Sequence, residues 1–295
     1  MSLRRQLKSI VPAPLDLAQR SVRSAVHRLG LWRGLLAECR GATPADQAVL
    51  MRSLRAGLPG LFTEPGAWRE PKLVSDATLV VEEGFTFFIL ANTDDCGHIR
   101  QTTHRPLLDA VAPYLPAGGT AIDAGANIGI FTANFARMAG PEGRVVAVEM
   151  MPATARSLRQ TIALNGLANV ALVENALSDA AGQTIDVAMP DDSHFGQASI
   201  IRHNAAGHGV SVSVTTTTLD DITAGMERVH VMKMDLEGAE AVALRGAART
   251  LSITDAILFE TARGEDGIEA VLEANGFRIR PIDGLNKLAF RPGRP

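Results

Sequence analysis

An α/β fold, a doubly wound sheet closed by a C-terminal antiparallel hairpin and preceded by a helical N-terminal extension, is predicted by three features of this 295-residue chain. Apolar runs of strand length alternate with segments of helical spacing from Ala121 to Asn275, the rhythm of βαβ units. The first of those runs, Ala121 to Ala124, leads into a glycine-punctuated turn, Gly125 to Gly129, that opens a helix. The chain closes on two apolar runs, Phe277 to Ile282 and Lys287 to Phe290, about Gly284, which read as an antiparallel pair. With 46% hydrophobic residues the chain can bury one large core plus an appended segment.

The appended segment comes first. Residues 1–40 hold eight Lys or Arg (Arg4, Arg5, Lys8, Arg20, Arg23, Arg28, Arg33, Arg40) against Asp16 and Glu38, an excess of +6 that leaves −9 for the remainder. Leu15, Ala18, Val22, Ala25, Val26 and Leu29 recur at helical spacing, which predicts an amphipathic helix ending at Gly30. Its basic face suits packing on the protein or on another subunit, including a second copy, or peripheral contact with an anionic membrane. Pro12, Pro14 and Asp16 break the apolar core that a signal peptide would need, and no stretch reaches the length of a transmembrane helix. Thr43 and Pro44 read as the cap and first residue of a helix to Gly57, followed by a linker from Pro59 to Pro71. The expected division is therefore residues 1–72, a basic helical extension and linker, and 73–295, the catalytic domain.

Within 73–295, Leu79 to Val81 and Phe85 to Leu90 flank Glu82-Glu83-Gly84 as a hairpin, and Pro106 to Leu115 is a helix. Strands at Ala121, Val145 to Val148, Val170 to Val173, His230 to Met234 and Ala256 to Phe259 alternate with helices Ala153 to Asn165, Ala239 to Arg249 and Gly267 to Asn275. A long insertion, Asp186 to Thr217, follows the third of these strands, with strand-like alternation at Val210, Val212 and Val214.

Asp123, Gly125, Asn127 and Gly129 fit D-x-G-x-N-x-G. Glycines let such a turn press against a ligand while helix N–H groups face the same space. A dinucleotide turn requires G-x-G-x-x-G, but the second and third glycine positions here hold Asn127 and Ile130. A P-loop ends in Lys and then Ser or Thr, but Gly129 is followed by Ile130 and Phe131. What remains is the pattern of enzymes that bind S-adenosyl-L-methionine, with Asp123, Gly125, Ala126, Asn127 and Gly129 as its contacts. Glu149 closes the strand about twenty residues further on, where an acidic side chain meets ribose hydroxyls in nucleotide-binding sheets. A net charge of −3 and 4% aromatic residues argue against a nucleic-acid partner. Two cysteines, Cys39 and Cys96, make neither a disulfide framework nor a zinc cluster, which suits a reducing, cytoplasmic compartment. Asp235, Glu237 and Glu260 are hard oxygen donors that suit a divalent cation as the minor alternative, but carboxylates gather beside a cationic cofactor without metal, and no metal site is assigned.

Ligands of an open α/β sheet sit beyond the carboxyl ends of its strands, which here carry Asp123, Glu149, Asn175, Asp235 and Glu260. Asn175 and Ala176 follow the third strand, either beside the cofactor or as plain loop. Alternation sends Met232 and Met234 to one face and Lys233 and Asp235 to the other. Glu237 and Gly238 turn into the next helix, whose dipole Glu240 complements. Methyl transfer from a sulfonium is an in-line displacement in which the enzyme aligns the acceptor, excludes water and removes a proton. Asp235 and Glu237 are the candidates for orienting or deprotonating the acceptor. His194, in the insertion, is a third candidate base or a surface-loop residue. Asp220 and Asp221 read as structural braces.

From Asp123 onward these motifs resemble the FkbM family of S-adenosylmethionine-dependent methyltransferases: Asp123 to Gly129, Gly143 to Glu149, Asn175 to Asp179, Thr218 to Asp221, Lys233 to Glu240 and the apolar strand ending in Glu260, in the family's order. The resemblance spans roughly Ala77 to Phe290. It implies a Rossmann-like class I methyltransferase sheet, adenine contacts after the third strand, and O-methylation of a hydroxyl on a sugar, polyketide or related small molecule or glycan. Absences agree with oxygen as acceptor. Asp235 is followed by Leu236-Glu237-Gly238, not by the Pro-Pro-aromatic run of enzymes that methylate exocyclic amines, and neither cysteine lies near a strand end of the doubly wound sheet for attack on a pyrimidine. One departure stands out: where the family has Phe-Glu-Pro, this chain has Val148-Glu149-Met150-Met151-Pro152, so the adenine-side wall differs. Two other readings remain, a non-catalytic cofactor-binding scaffold and a nicotinamide oxidoreductase, the latter opposed by the missing glycines and the terminal hairpin.

Overall fold

The computed structural model describes residues 13–58, 71–188, 211–261 and 267–294, with backbone alone for 13–24 and 188. They form two compact units, one of residues up to Glu82 with Ile89–Arg100, the other of Glu83–Phe88 and Gln101 onward. The linker expected at Pro59 to Pro71, except Pro71 itself, lies outside the described residues, as do Val210 and His194.

The first unit carries α1 (Ala13–Glu38), β1 (Cys39–Gly41), α2 (Pro44–Gly57), β2 (Ala77–Val81) and, past the hairpin arm β3 (Thr86–Ile89), the short α3 (Asp95–His98). The sequence predicts that α1 ends at Gly30; it continues to Glu38. A glycine inside a helix costs about 1 kcal/mol. Burial of Trp32 and Leu35 offsets that, at about 1.5–3 kcal/mol for a large apolar side chain. The buried stripe is Arg28, Trp32 and Leu35, while Val26 and Leu29 of the predicted apolar stripe stand 65% and 45% exposed. Tertiary packing, not the N-terminal apolar pattern, decides which face of α1 turns inward. Thr43 caps α2 as predicted, and it does so reciprocally: its hydroxyl accepts the Asp46 N–H at 3.2 Å while the Asp46 carboxylate accepts the Thr43 N–H at 3.1 Å. The other Asp46 oxygen accepts the Thr78 N–H at 3.0 Å, and β1 pairs antiparallel with β2, Cys39 opposite Val81.

The second unit contains, in order, α4 (Gln101–Val111), β4 (Thr120–Ala124), α5 (Ile130–Ala139), β5 (Arg144–Val148), α6 (Pro152–Leu164), β6 (Val170–Val173), β7 (Ala176–Leu177), β8 (Thr184–Ala188), β9 (Ser211–Thr217), α7 (Leu219–Ile222), β10 (Val229–Met234), α8 (Glu240–Arg245), α9 (Ala248–Ile253), β11 (Thr254–Glu260), α10 (Ile268–Ala274), β12 (Arg278–Pro281) and β13 (Asn286–Phe290). Its seven-stranded sheet runs β12-β13-β11-β10-β4-β5-β6. The five strands from β11 to β6 are parallel, and β13 runs antiparallel to both β11 and β12. This is the doubly wound sheet with a terminal hairpin that the sequence predicts. The chain leaves β4 toward β5 and β6, then returns to β10 on the other side, so the crevice of the switch point opens between the ends of β4 and β10. Ile122, Val146, Met232, Ile257 and Phe259 fill one side of the sheet; Ala121, Val145, Val231, Leu258, Phe131 and Phe135 fill the other.

Two helices of this unit differ from expectation. The helix expected from Pro106 begins at Gln101, whose side chain is buried and accepts from the Asn134 amide at 3.0 Å, so Pro106 lies inside it. The helix expected from Ala239 to Arg249 is two, α8 and α9, broken at Gly246. The Gly246 carbonyl accepts from Asp220 N–H at 3.1 Å instead of continuing the helix, and a Cβ there would stand 2.6 Å from the Ser178 carbonyl oxygen. Asp220 then caps α9 by accepting the Arg249 and Thr250 N–H groups at 3.1 and 2.7 Å, the bracing role its sequence suggests.

Candidate active site

The turn after β4 bends through three left-handed residues, Gly125 (φ 78°), Asn127 (φ 49°) and Gly129 (φ 96°). The protein's own packing accounts for both glycines. A Cβ on Gly125 would lie 1.9 Å from the Asp235 carbonyl oxygen, and one on Gly129 would lie 2.6 Å from Leu158 Cδ1. The Gly125 and Ala126 N–H groups both donate to the Val148 carbonyl, at 3.0 and 2.9 Å. The turn is therefore stitched to β5 through its backbone.

Glu149 tightens the same seam. One oxygen of its buried carboxylate accepts the Asn127 N–H at 3.0 Å and the other the Met151 N–H at 2.9 Å, joining the turns that follow β4 and β5. Beyond it, Met151 is buried with Ala176, Val187 and Val214, and Met150 packs against them. Methionine and insertion-strand valines thus line the protein beyond Glu149. Asn175 donates its amide to the Thr215 carbonyl at 3.1 Å, and Ala176 opens β7 opposite Thr216. In this structure both residues pair with the insertion strand β9.

Lys233 was legible in sequence only as a residue on the Asp235 face of its strand, yet its side chain meets four groups of the site. Register places it beside Asp123 on β4. Its Nζ donates to the Gly125 carbonyl at 2.9 Å, stands 3.3 Å from Asp235 Oδ2 and 3.8 Å from Asp123 Oδ1, and lies 5.4 Å from the Phe131 ring centre. Burial disfavours the ammonium, but Asp235, Asp123 and Glu149 together hold its pKa above the usual lysine value. Burial likewise pushes the Asp123 carboxyl up, with Lys233 and the Thr132 hydroxyl opposing it. Thr132, the other residue that motif reading passed over, donates to Asp123 Oδ2 at 2.6 Å. A lysine amid buried apolar residues was the signal that could have found Lys233; Thr132 carried none.

Two buried acceptors on this turn, Asp123 Oδ1 and Asn127 Oδ1, have no hydrogen-bond partner among the described residues. Such orphans are rare and fit a ligand that donates hydrogen bonds. Asp235 is partly exposed at the end of β10, with Glu237 two residues on at φ 57° in the turn to α8. Glu240 does more than complement a dipole: buried, it accepts the Leu236 N–H at 2.7 Å and closes that turn. The sheet thus brings Asp123, the 125–129 turn, Glu149 and Asp235 around Lys233.

The sequence profile described as Methyltransferase FkbM domain matches residues 123–279, just over half of the chain. Methyltransferase sdnD of Sordaria araneosa is 28% identical over 198 residues, covering 56% of this chain and 76% of that protein. Protein-L-isoaspartate O-methyltransferase of Triticum aestivum is 38% identical over 84 residues, covering 26% and 35%. Among solved structures, Precorrin-6y C5,15-methyltransferase of Geobacter metallireducens aligns over 63% of this chain and 87% of its own at 13% identity and a TM-score of 0.40. Aeropyrum pernix fibrillarin with bound S-adenosyl-L-methionine aligns over 73% and 93% at 13% identity and a TM-score of 0.39.

Proposed function

Since the chain belongs to the FkbM family of methyltransferases, we propose that it transfers the methyl group of S-adenosyl-L-methionine to a hydroxyl oxygen of a small-molecule or glycan acceptor. One observation carries the reading: three carboxylates, Asp123, Glu149 and Asp235, act on a single buried cation, Lys233. That excess of anions suits a donor whose sulfonium and ammonium outweigh its one carboxylate, and opposes a dinucleotide pyrophosphate. The orphan oxygens of Asp123 and Asn127 suit the N–H groups of an ammonium. Glu149 is assigned to the ribose hydroxyls, and Asn175 and Ala176 to the adenine side.

The protein's remaining tasks are to align the acceptor oxygen, exclude water and take its proton. Asp235 is assigned that carboxylate role, with Glu237 beside it and His194 as a third candidate. Attack by a cysteine on a pyrimidine finds no support, because Cys39 and Cys96 are both buried and burial pushes the Cys96 thiol far up. The basic α1 is assigned an accessory contact, with a membrane surface or another subunit.

Incubation with methyl-labelled donor and a panel of hydroxyl compounds, followed by NMR of the product, tests the reaction. An O-methyl product is expected; an N-methyl or C-methyl product overturns the acceptor assignment. Asp235→Asn keeps the shape but removes the charge, so turnover should fall by about two to four orders of magnitude. Affinity for S-adenosylhomocysteine, which lacks the sulfonium charge, should change little. Near-normal turnover would move the role to Glu237 or His194.

A further inference from the structure

We propose that Lys233 is the positioning residue of the cofactor site: its buried ammonium, bound to the Gly125 carbonyl and set between Asp123 and Asp235, keeps Asp123 charged and the turn in its binding shape. The inference rests on the reading that Asp123 meets the cofactor. Asp123 is fully buried, and a buried carboxylate without a counter-ion takes up a proton instead of remaining an anion.

The charged and polar groups around Asp123 can be named from each packed element. From β10 come Lys233 and Asp235, of opposite sign; from the end of β5, Glu149 acts on Lys233; from α5 the Thr132 hydroxyl donates to Oδ2. His104 of α4 meets the same Phe131 ring that lies by Lys233, its own ring edge-on at 5.5 Å. Lys233 is the cation among them that contacts Asp123 directly, and Asp235 works against the charge on Asp123. The same ammonium reaches the carbonyl of Gly125, the residue crowded by the Asp235 backbone, so it holds the turn as well as standing beside the carboxylate.

The test uses S-adenosylhomocysteine as probe, titrated by calorimetry into the full chain between pH 5 and 8. Native affinity should fall toward acid, because burial holds the Asp123 carboxyl above its usual range. Lys233→Met removes the cation, so affinity at neutral pH should drop tenfold or more and the acid limb should move up by about one to three pH units. Lys233→Gln, which retains a donor for the Gly125 carbonyl, should move the limb in the same way and serves if the Met variant does not fold. Lys233→Arg should keep the limb near its native position. An acid limb unmoved in the Met and Gln variants, even with uniformly weaker binding, overturns the proposal and leaves Lys233 a packing residue. Asp123→Asn separates the two readings. If it binds as the native protein does, the assignment of Asp123 falls and the lysine proposal falls with it. If it binds weakly with a flat pH profile while the Lys233 variants keep the native limb, only the lysine proposal falls.

Discussion

Gly125 is held to glycine by the backbone of another strand, which changes what a substitution there would report. An alanine must adopt φ near 78° and place its Cβ 1.9 Å from the Asp235 carbonyl oxygen, a group that cannot swing aside. Gly129→Ala suffers the same kind of backbone strain, but meets the flexible end of Leu158. Left-handed strain of roughly 1–2 kcal/mol predicts a fall in melting temperature of about 2–8 °C for Gly129→Ala. Gly125→Ala should fall further, and equal melting temperatures would contradict the role given to Asp235. The sequence exposes these glycines as a pattern and suggests a ligand as their reason. The nearer reasons, the end of β10 against Gly125 and Leu158 of α6 against Gly129, were not legible, because they depend on which elements lie beside the turn. For the same cause Lys233 was readable as facing with Asp235 but not as the neighbour of Asp123.

Thr43→Ala removes the hydroxyl that closes the N-terminus of α2 and should cost about 1 kcal/mol, measured by denaturant unfolding. Asp46→Ala should cost more, since the same carboxylate also holds the Thr78 N–H of β2. If the two variants are equal, the link between α2 and β2 contributes nothing. A chain beginning at Leu73 loses β1, the antiparallel partner of β2, and leaves the buried Leu79 and Val81 on an open edge. It should aggregate or lose cooperative unfolding, read by light scattering and circular dichroism; a soluble, cooperatively folded product would show that β1 is dispensable. Element type was well marked in sequence, because apolar periodicity follows from burial on a sheet. Element ends were not. Gly30 reads as a stop but sits in a helix sustained by Trp32 and Leu35, whereas Gly246 lies inside a helical pattern yet breaks it, its carbonyl claimed by Asp220.

Acid should separate function from fold across the molecule. Burial works against the charge on Asp46 and Asp220, but hydrogen bonds from Thr43 and Thr78, and from Thr250 and Arg249, hold both below the usual carboxylate range. The Asn286 and Leu285 N–H groups do the same for Asp283. Each of the three therefore contributes stability above its unfolded pKa that drains as pH falls through its folded value. Asp123 has the opposite sign: raised by burial, it takes up its proton at higher pH, and that step favours the folded state. S-adenosylhomocysteine binding should thus fade at a higher pH than cooperative unfolding by circular dichroism; coincident transitions would contradict this ordering.

The placement of β4 also fixes when during synthesis the site can exist. Asp123 and its register partner Lys233 are over a hundred residues apart in the chain, so closing that loop must precede any contact between them. A nascent chain that has emerged only as far as β6 can pair β4, β5 and β6, but β4 is then an apolar outer strand with its second edge bare. Only when β10 leaves the ribosome does that edge close, and the same event delivers the ammonium to Asp123 and the carbonyl of Asp235 to Gly125. A half-translated chain therefore lacks both the ammonium beside Asp123 and a partner on the second edge of β4, and both conditions end with the arrival of one strand.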